Sequence, residues 1–284
     1  MAIRIVTDST ADFTPEEAAV LGITIVPLTI FFGNQTFRDI IELDSASFYK
    51  KLQEHKDQFP RTSQPAPAAF QAAYTRLIKE GADGILSIHL SSKLSGTYQS
   101  ACTARDTLPD ELHSIPIEVI DSQTISGGMA LAIRKAVEHI RQDQSLEEIK
   151  QKLLDQFSRT HIFAVIDTLE YLKHGGRIGA AKALLGNMLS VKPIVTLKDG
   201  VVVPLEQPRT RNKAYARVAQ IASEYLPAES ILIAQSNNEV GEQLAQACKW
   251  LSAEPIQRYS LGGTLGTHTG PSTVALGLVS EQRR

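Results

Sequence analysis

Cysteine is scarce: Cys102 and Cys248 are the only two among 284 residues. They stand far apart, in helix-like stretches and in no ligand spacing. That excludes a disulfide scaffold and a cysteine metal site, and it fits a reduced, cytoplasmic protein. Long apolar runs are missing too, and none approaches the ~20 residues of a membrane-spanning helix. The opening Ile3-Arg4-Ile5-Val6 leads straight into a strand, so no secretory signal is expected. Charge of one sign is not in excess: 29 Lys plus Arg face 31 Asp plus Glu, a net −2. There is no basic footprint for nucleic acid and no polybasic membrane address. Several reaction signatures are absent as well. No H-E-x-x-H or Cys/His array points to zinc, and no G-x-S-x-G elbow to an α/β serine hydrolase. What is present is globular in balance, 43% hydrophobic and 21% charged, with length for about two domains at ~150 residues each and for a sizeable core.

Strand and helix signals alternate through the first half. Ile3 to Thr7 reads as a buried strand. Thr14-Pro15-Glu16-Glu17 is a capping box with Pro at the first helical position. Ile23 to Phe32 is β-rich, with Gly33-Asn34 as turn residues, and Asp44 to His55 is an amphipathic helix. Gly84 to Leu90 and Ile117 to Ile120 read as strands, each followed by a polar loop and a helix. This pattern predicts βαβ units on a parallel sheet. Ser145-Leu146-Glu147-Glu148 opens a helix to about Arg159, where the boundary is placed: 1–160 and 161–284. In the second half, Asp199-Gly200 between two β-rich runs is a hairpin signal, so the sheet there is mixed. Ala180 to Leu189 and Ser272 to Leu278 are read as helical. The predicted class is α/β: an N-terminal three-layer α/β/α domain with a parallel sheet, then a C-terminal two-layer α/β domain with a mixed sheet.

Ligands of open parallel sheets bind beyond the carboxyl ends of the strands. Polar clusters stand there at Asp8-Ser9-Thr10, Ser91 to Thr97 and Asp121 to Ser126, and Thr62-Ser63 adds one at a helix start. Ser95-Gly96-Thr97 lies where a loop meets a helix N-terminus, whose free N–H groups favour an anion. The alternative is plain capping by Ser95 or Thr97, and Thr62-Ser63 carries the same ambiguity. Asp8 and Asp121 are read as pinning loop backbone. The segment Gly262 to Pro271, dense in small residues, is read as a loop holding His268, the one histidine in a functional setting. His174 to Gly179 is glycine-rich without the Walker A or dinucleotide spacing, and its Arg177 could face a partner. Arg209, Arg211, Lys213 and Arg217 form a basic cluster, a solvated face or a docking surface. Hydroxyls and backbone N–H groups thus outnumber catalytic groups, which favours a binding site for an acidic small molecule.

Several segments, in order and spanning nearly the whole chain, resemble the DegV family. They are Asp8 to Asp12, Thr62-Ser63-Gln64-Pro65, Ser91 to Ala101, Asp121-Ser122 with Ser126-Gly127-Gly128, Leu169 to Ile178, Val191 to Ile194, and Gly266 to Pro271. Lys93 and Ser272 stand where the family often has glycine. The resemblance implies two α/β domains holding a long-chain fatty acid, such as palmitate or oleate, between them. It also implies a partner, a fatty acid kinase that makes the acyl phosphate for phospholipid synthesis, with no catalysis and no metal or cofactor in this chain itself. Transient contact with membrane lipid would belong to that cycle. Carried over residue by residue, Thr62 and Ser95 become carboxylate ligands with His268 nearby. Ser63, Gly96 and Thr97 become supporting residues, and Arg177 and Arg209 kinase-docking residues. Burying ~15 methylenes at ~0.8 kcal/mol each gives roughly 12 kcal/mol of gross gain, reduced by association and ordering. Hydroxyls and N–H groups offset the cost of burying the carboxylate. The competing reading is a small hydrolase or phosphotransferase using Ser95 and His268, which requires a base within reach of Ser95.

Overall fold

The structure is a computed structural model that describes residues 2–55, 58–187 and 191–283. The first half runs β1 (Ile3–Asp8), α1 (Pro15–Leu21), β2 (Ile23–Val26), β3 (Thr29–Phe32), β4 (Gln35–Arg38), α2 (Ser45–Glu54), β5 (Arg61–Ser63), α3 (Pro67–Lys79), β6 (Gly84–His89), α4 (Thr97–Asp106), β7 (Ile117–Asp121), α5 (Gly127–Arg141) and α6 (Leu146–Ser158). The second half runs β8 (Thr160–Val165), α7 (Glu170–His174), β9 (Ile194–Lys198), β10 (Val201–Glu206), α8 (Arg211–Ser223), β11 (Ala228–Gln235), α9 (Asn238–Cys248), β12 (Gln257–Ser260), α10 (Gly263–Thr269) and β13 (Val274–Ser280).

The expected parallel sheet is present, in the order β2-β1-β6-β7. Neighbouring residues serve its two faces, as the pleat demands. Ile5 and Leu86 pack against Ile133 of α5 and Leu153 of α6. Val6 and Ile85 pack against Phe70 and Tyr74 of α3. Helices therefore cover both faces. The mixed sheet is also present, six strands in the order β10-β9-β8-β13-β11-β12, of which only β11 and β12 are parallel. Phe163, Ile233, Leu276 and Leu278 face Val218 of α8 and Leu244 of α9. The opposite face of this sheet looks toward the first half of the chain, where α5 packs near it.

Five local expectations are corrected. Ile23 to Phe32 divides at Pro27 into β2 and β3, which belong to different sheets, and β3 leads a small antiparallel sheet β4-β3-β5. Pro27 has no N–H for a ladder. Thr62 and Ser63 lie on β5, not at a helix start: α3 begins at Pro67 with Ala66 as an uncapped N-cap. The segment read as a terminal helix is β13, fully buried along its length. A strand covered on both faces carries a continuous apolar run, so period cannot separate it from helix. The preceding small-residue loop is instead the short helix α10. Its glycines permit close packing: a Cβ at Gly263 would lie 2.6 Å from Ile30 Cδ1, and one at Gly266 2.4 Å from Phe48 Cε1. Gly266→Ala should therefore lower stability by about 1–3 kcal/mol, the usual cost of overpacking, read as a reduced urea midpoint at unchanged slope. The helix expected over 180–189 is a run of 3-10 turns over Gly179–Asn187; Leu189 lies outside the described residues.

Candidate functional site

A partly open cavity lies between the parallel-sheet half and the inner face of the six-stranded sheet. Its walls are mainly aliphatic, including Leu90, Leu94, Ile162, Val195, Leu232 and Leu265. The volume open to the centre of a water-sized sphere is about 120 Å³.

Polar residues stand at several places on the wall, Ser126, Thr196 and Thr264 among them, but one group is gathered at a single pole. Thr62, Gln64, Ser95, Arg177 and His268 all line the cavity there. Strand β5 brings Thr62 against α10, and Thr62 Oγ1 lies 2.8 Å from His268 Nε2. His268 also presses on α7: a Cβ at Gly175 would lie 2.0 Å from its Nδ1. That Nδ1 is buried without a hydrogen-bond partner among the described residues. Burial, and secondly the nearby Arg177 charge, lower the His268 pKa to about 4, so the ring is neutral at neutral pH. Ser95 Oγ lies 2.9 Å from Thr97 Oγ1 and accepts the Thr97 N–H at 3.3 Å. It therefore caps the start of α4 from outside, since the N-cap is Gly96. Gln64 lies over Gly96, where a Cβ would come 2.8 Å from its Nε2. Arg177 donates from Nε to Leu94 O at 3.0 Å and from Nη1 to Gly175 O at 2.6 Å. Those two bonds fix the guanidinium on the wall.

The structure thus brings together Thr62, Ser95, Arg177 and His268. Gly96 and Thr97 support Ser95 from behind, and Thr97 is fully buried. Ser63 is not among the wall residues; it is exposed, with its Oγ on Gln64 O. Arg209 is exposed and also outside the cavity. Of its basic neighbours, Arg211 pairs with Asp167, which Lys192 also reaches at 3.0 Å, and Arg217 pairs with Glu206. Gln64 was missed as a wall residue, although it sits inside the Thr-Ser-Gln-Pro segment. Arg177 was found, but as a docking residue, because distance in sequence hides its bond to Leu94.

The hydroxyl and imidazole required by a hydrolase do not meet here. His268 bonds Thr62, and Ser95 bonds Thr97. A serine–histidine–carboxylate chain does exist elsewhere: Tyr74 Oη to Ser87 Oγ at 2.8 Å, Ser87 Oγ to His89 Nε2 at 2.7 Å, His89 Nδ1 to Asp8 Oδ2 at 3.0 Å. All four residues are fully buried, and none lines the cavity. Asp8 also accepts from the N–H groups of Thr10 and Leu90, and Asp121 from those of Ser92 and Gln123. Both aspartates pin loop backbone as expected. No group of three or more His, Cys, Asp or Glu suited to a metal occurs among the described residues. No helix there is long and apolar enough to cross a membrane.

A second polar cluster joins the two halves. Asp12 accepts from Gly262 N at 2.8 Å and from Ser126 Oγ at 2.5 Å. Asp39 accepts from Ser9 Oγ at 2.8 Å and reaches Thr264 and the backbone of Gly263 and Thr264. Burial raises Asp12 to about 8 and Asp39 to about 6.

Comparison with known proteins finds relatives along nearly the whole chain. A family model described as "Uncharacterised protein, DegV family" matches residues 2–281. A DegV domain-containing protein of Halalkalibacterium halodurans is 38% identical, over 96% of this chain and 97% of its own. The protein DegV of Bacillus subtilis is 36% identical, over 97% and 98%. Among solved structures, a DegV family protein of Thermus thermophilus, described by its fatty acid binding, superposes with a TM-score of 0.88 at 34% identity, covering 99% of this chain and 100% of that one. A stearic acid-binding protein of Eubacterium ventriosum superposes at 0.91 and 27% identity, covering 98% of each. With the family model matched almost end to end and the two-unit α/β fold in common, the chain belongs to the DegV family.

Proposed function

We propose that this protein binds a long-chain free fatty acid, such as palmitate or oleate, between units 1–160 and 161–284 and presents its carboxylate to a fatty acid kinase. The observation that carries the reading is a mainly apolar cavity on whose wall Thr62, Ser95, Arg177 and His268 stand together at one pole. That is the polarity of an acyl chain with one charged end. The relatives from Thermus thermophilus and Eubacterium ventriosum, described as binding fatty acid and stearic acid, support it. The protein itself makes or breaks no bond in this scheme. It delivers the carboxylate to a separate phosphoryl donor, and Arg209 with the other exposed cations offers a docking face for that kinase. The cycle is cytoplasmic, with brief contact with membrane lipid for loading.

The pole offsets the cost of a buried anion in two ways. Hydroxyls of Thr62 and Ser95 donate to the carboxylate, and the fixed Arg177 guanidinium supplies the countercharge. Neutral His268 orients Thr62 and leaves a carboxylate oxygen open to phosphorylation. Native mass spectrometry of the purified protein, followed by extraction, should show one acid of about 16–18 carbons per chain. Hydrogen bonds to charged groups contribute about 1.5–3 kcal/mol. Ser95→Ala and Thr62→Ala should therefore each weaken acyl binding by roughly 10- to 100-fold while the protein stays folded. A clean apo mass that takes up neither palmitate nor oleate would refute the proposal.

A further inference from the structure

The floor of the cavity has a regular feature that the polar pole does not explain. Strand register places Val195 of β9, Ala164 of β8, Ala275 of β13 and Ala234 of β11 in one row across the six-stranded sheet. All four line the cavity. On the flanking row, Ile162, Gly277 and Leu232 pair in the same way and line it too. Three consecutive alanines thus form a shallow trough perpendicular to the strands, bordered by Ile162 and Leu232.

The trough has a direction. The Val195 end lies beside Leu94 and Leu172, in the cluster next to Arg177 and Ser95. Ser91, from the same loop as Ser95, bonds Gly200 in the β9–β10 turn. The Ala234 end lies in a different cluster, with Leu232, Leu261, Leu265 and Ile125. Leu232 is wedged there against the start of α5: a Cβ at Gly127 would lie 2.4 Å from its Cδ1. The Val195 end thus adjoins the loops that carry Ser95 and Arg177, and the Ala234 end is bordered by Leu232, Leu261 and Leu265, with the hydroxyls of Ser126 and Thr264 also on the wall there.

We infer that the alanine row is a ruler for acyl chain length, read outward from the polar pole in the order Ala164, Ala275, Ala234. This rests on the proposed function above. Neighbouring strands are ~4.8 Å apart. An extended alkyl chain with bonds of ~1.5 Å advances roughly 1.25 Å per carbon. Each alanine therefore marks roughly four carbons, and a larger side chain at any one of them blocks the trough at that step. Because these side chains point into the cavity, away from the α8–α9 core, enlarging them fills empty space.

The test replaces each alanine by leucine and offers every variant an equimolar mixture of saturated acids from 8 to 20 carbons. Occupancy by length is read by native mass spectrometry, with circular dichroism to verify folding. Ala234→Leu should cut occupancy by the longest acids at least ten-fold and spare the shorter ones. Ala275→Leu should move the cut-off down by roughly four carbons, and Ala164→Leu by roughly four more. Where a leucine variant does not fold, the valine variant at that position replaces it and should show the same order of cut-offs. Cut-offs that coincide, or a uniform loss at all lengths in folded variants, overturn the ruler while wild-type uptake leaves fatty-acid binding intact. A wild-type protein that takes up no acid of any length overturns the parent reading and the ruler with it.

Discussion

Asp12→Asn should remove most of the decline in stability between pH 4 and 8. Asp12 has an ordinary carboxyl value of 3.8 in the open chain and about 8 in the folded protein, where burial dominates. Below 3.8 both states hold the proton. Between 3.8 and 8 the folded state keeps it and the unfolded state has released it, so stability falls as pH rises. Above 8 the slope vanishes. For one such group the slope approaches about 1.4 kcal/mol per pH unit, so the total reaches several kcal/mol. Asp39, raised to about 6, adds to the decline between roughly pH 4 and 6. Asparagine mimics the protonated acid, because its oxygen can accept the Gly262 N–H and its amide can donate to Ser126 Oγ. Urea unfolding at several pH values should show a steep wild-type decline and a shallow one for Asp12→Asn, with the variant more stable at pH 8. A wild-type profile that rises from pH 4 to 8 would contradict this account.

Arg177→Ala should weaken acyl binding more than either hydroxyl variant. Removing one partner of a buried charge pair costs about 2–5 kcal/mol, or roughly 30- to several-thousand-fold in affinity. Arg177→Lys should recover only part of the loss. One ammonium cannot reproduce the two-point anchoring on Leu94 O and Gly175 O that holds the guanidinium at the wall. A second readout separates charge from simple packing. The Arg177 charge contributes to the low value of His268, so the His268 ring should titrate higher in Arg177→Ala than in wild type. NMR of the histidine resonances would follow it. Unchanged affinity together with unchanged titration would assign Arg177 to the surface rather than to the site.

How much of this was legible in the sequence depended on range. Local chemistry was readable: the capping boxes at Thr14 and Ser145 form with both reciprocal bonds, and Asp199-Gly200 turns the β9–β10 hairpin. Thr62, Ser95 and His268 were reachable through the resemblance, and the structure places them around one cavity. Features fixed by distant partners were not readable. Val274 to Ser280 carries no alternation because both its faces are covered, so the strand at the heart of the sheet resembled a helix. The glycines of α10 looked like loop residues because Phe48 and Tyr49, which demand them, lie more than 200 positions away. The alanine row exists only once four strands are in register.

The six-stranded sheet divides labour by residue parity. Along β8, Phe163 and Val165 face the helices while Ile162 and Ala164 face the cavity; along β13, Leu276 and Leu278 do the first and Ala275 and Gly277 the second. Under the proposed function, substitutions at one parity should act mainly on stability and those at the other mainly on the bound ligand. Such a sheet is evolvable in a specific sense. Its ligand preference can drift by small steps at alternate positions while the packing that keeps the chain folded stays untouched. One backbone could then carry a series of proteins that differ in the cavity they enclose and share the packing that folds them.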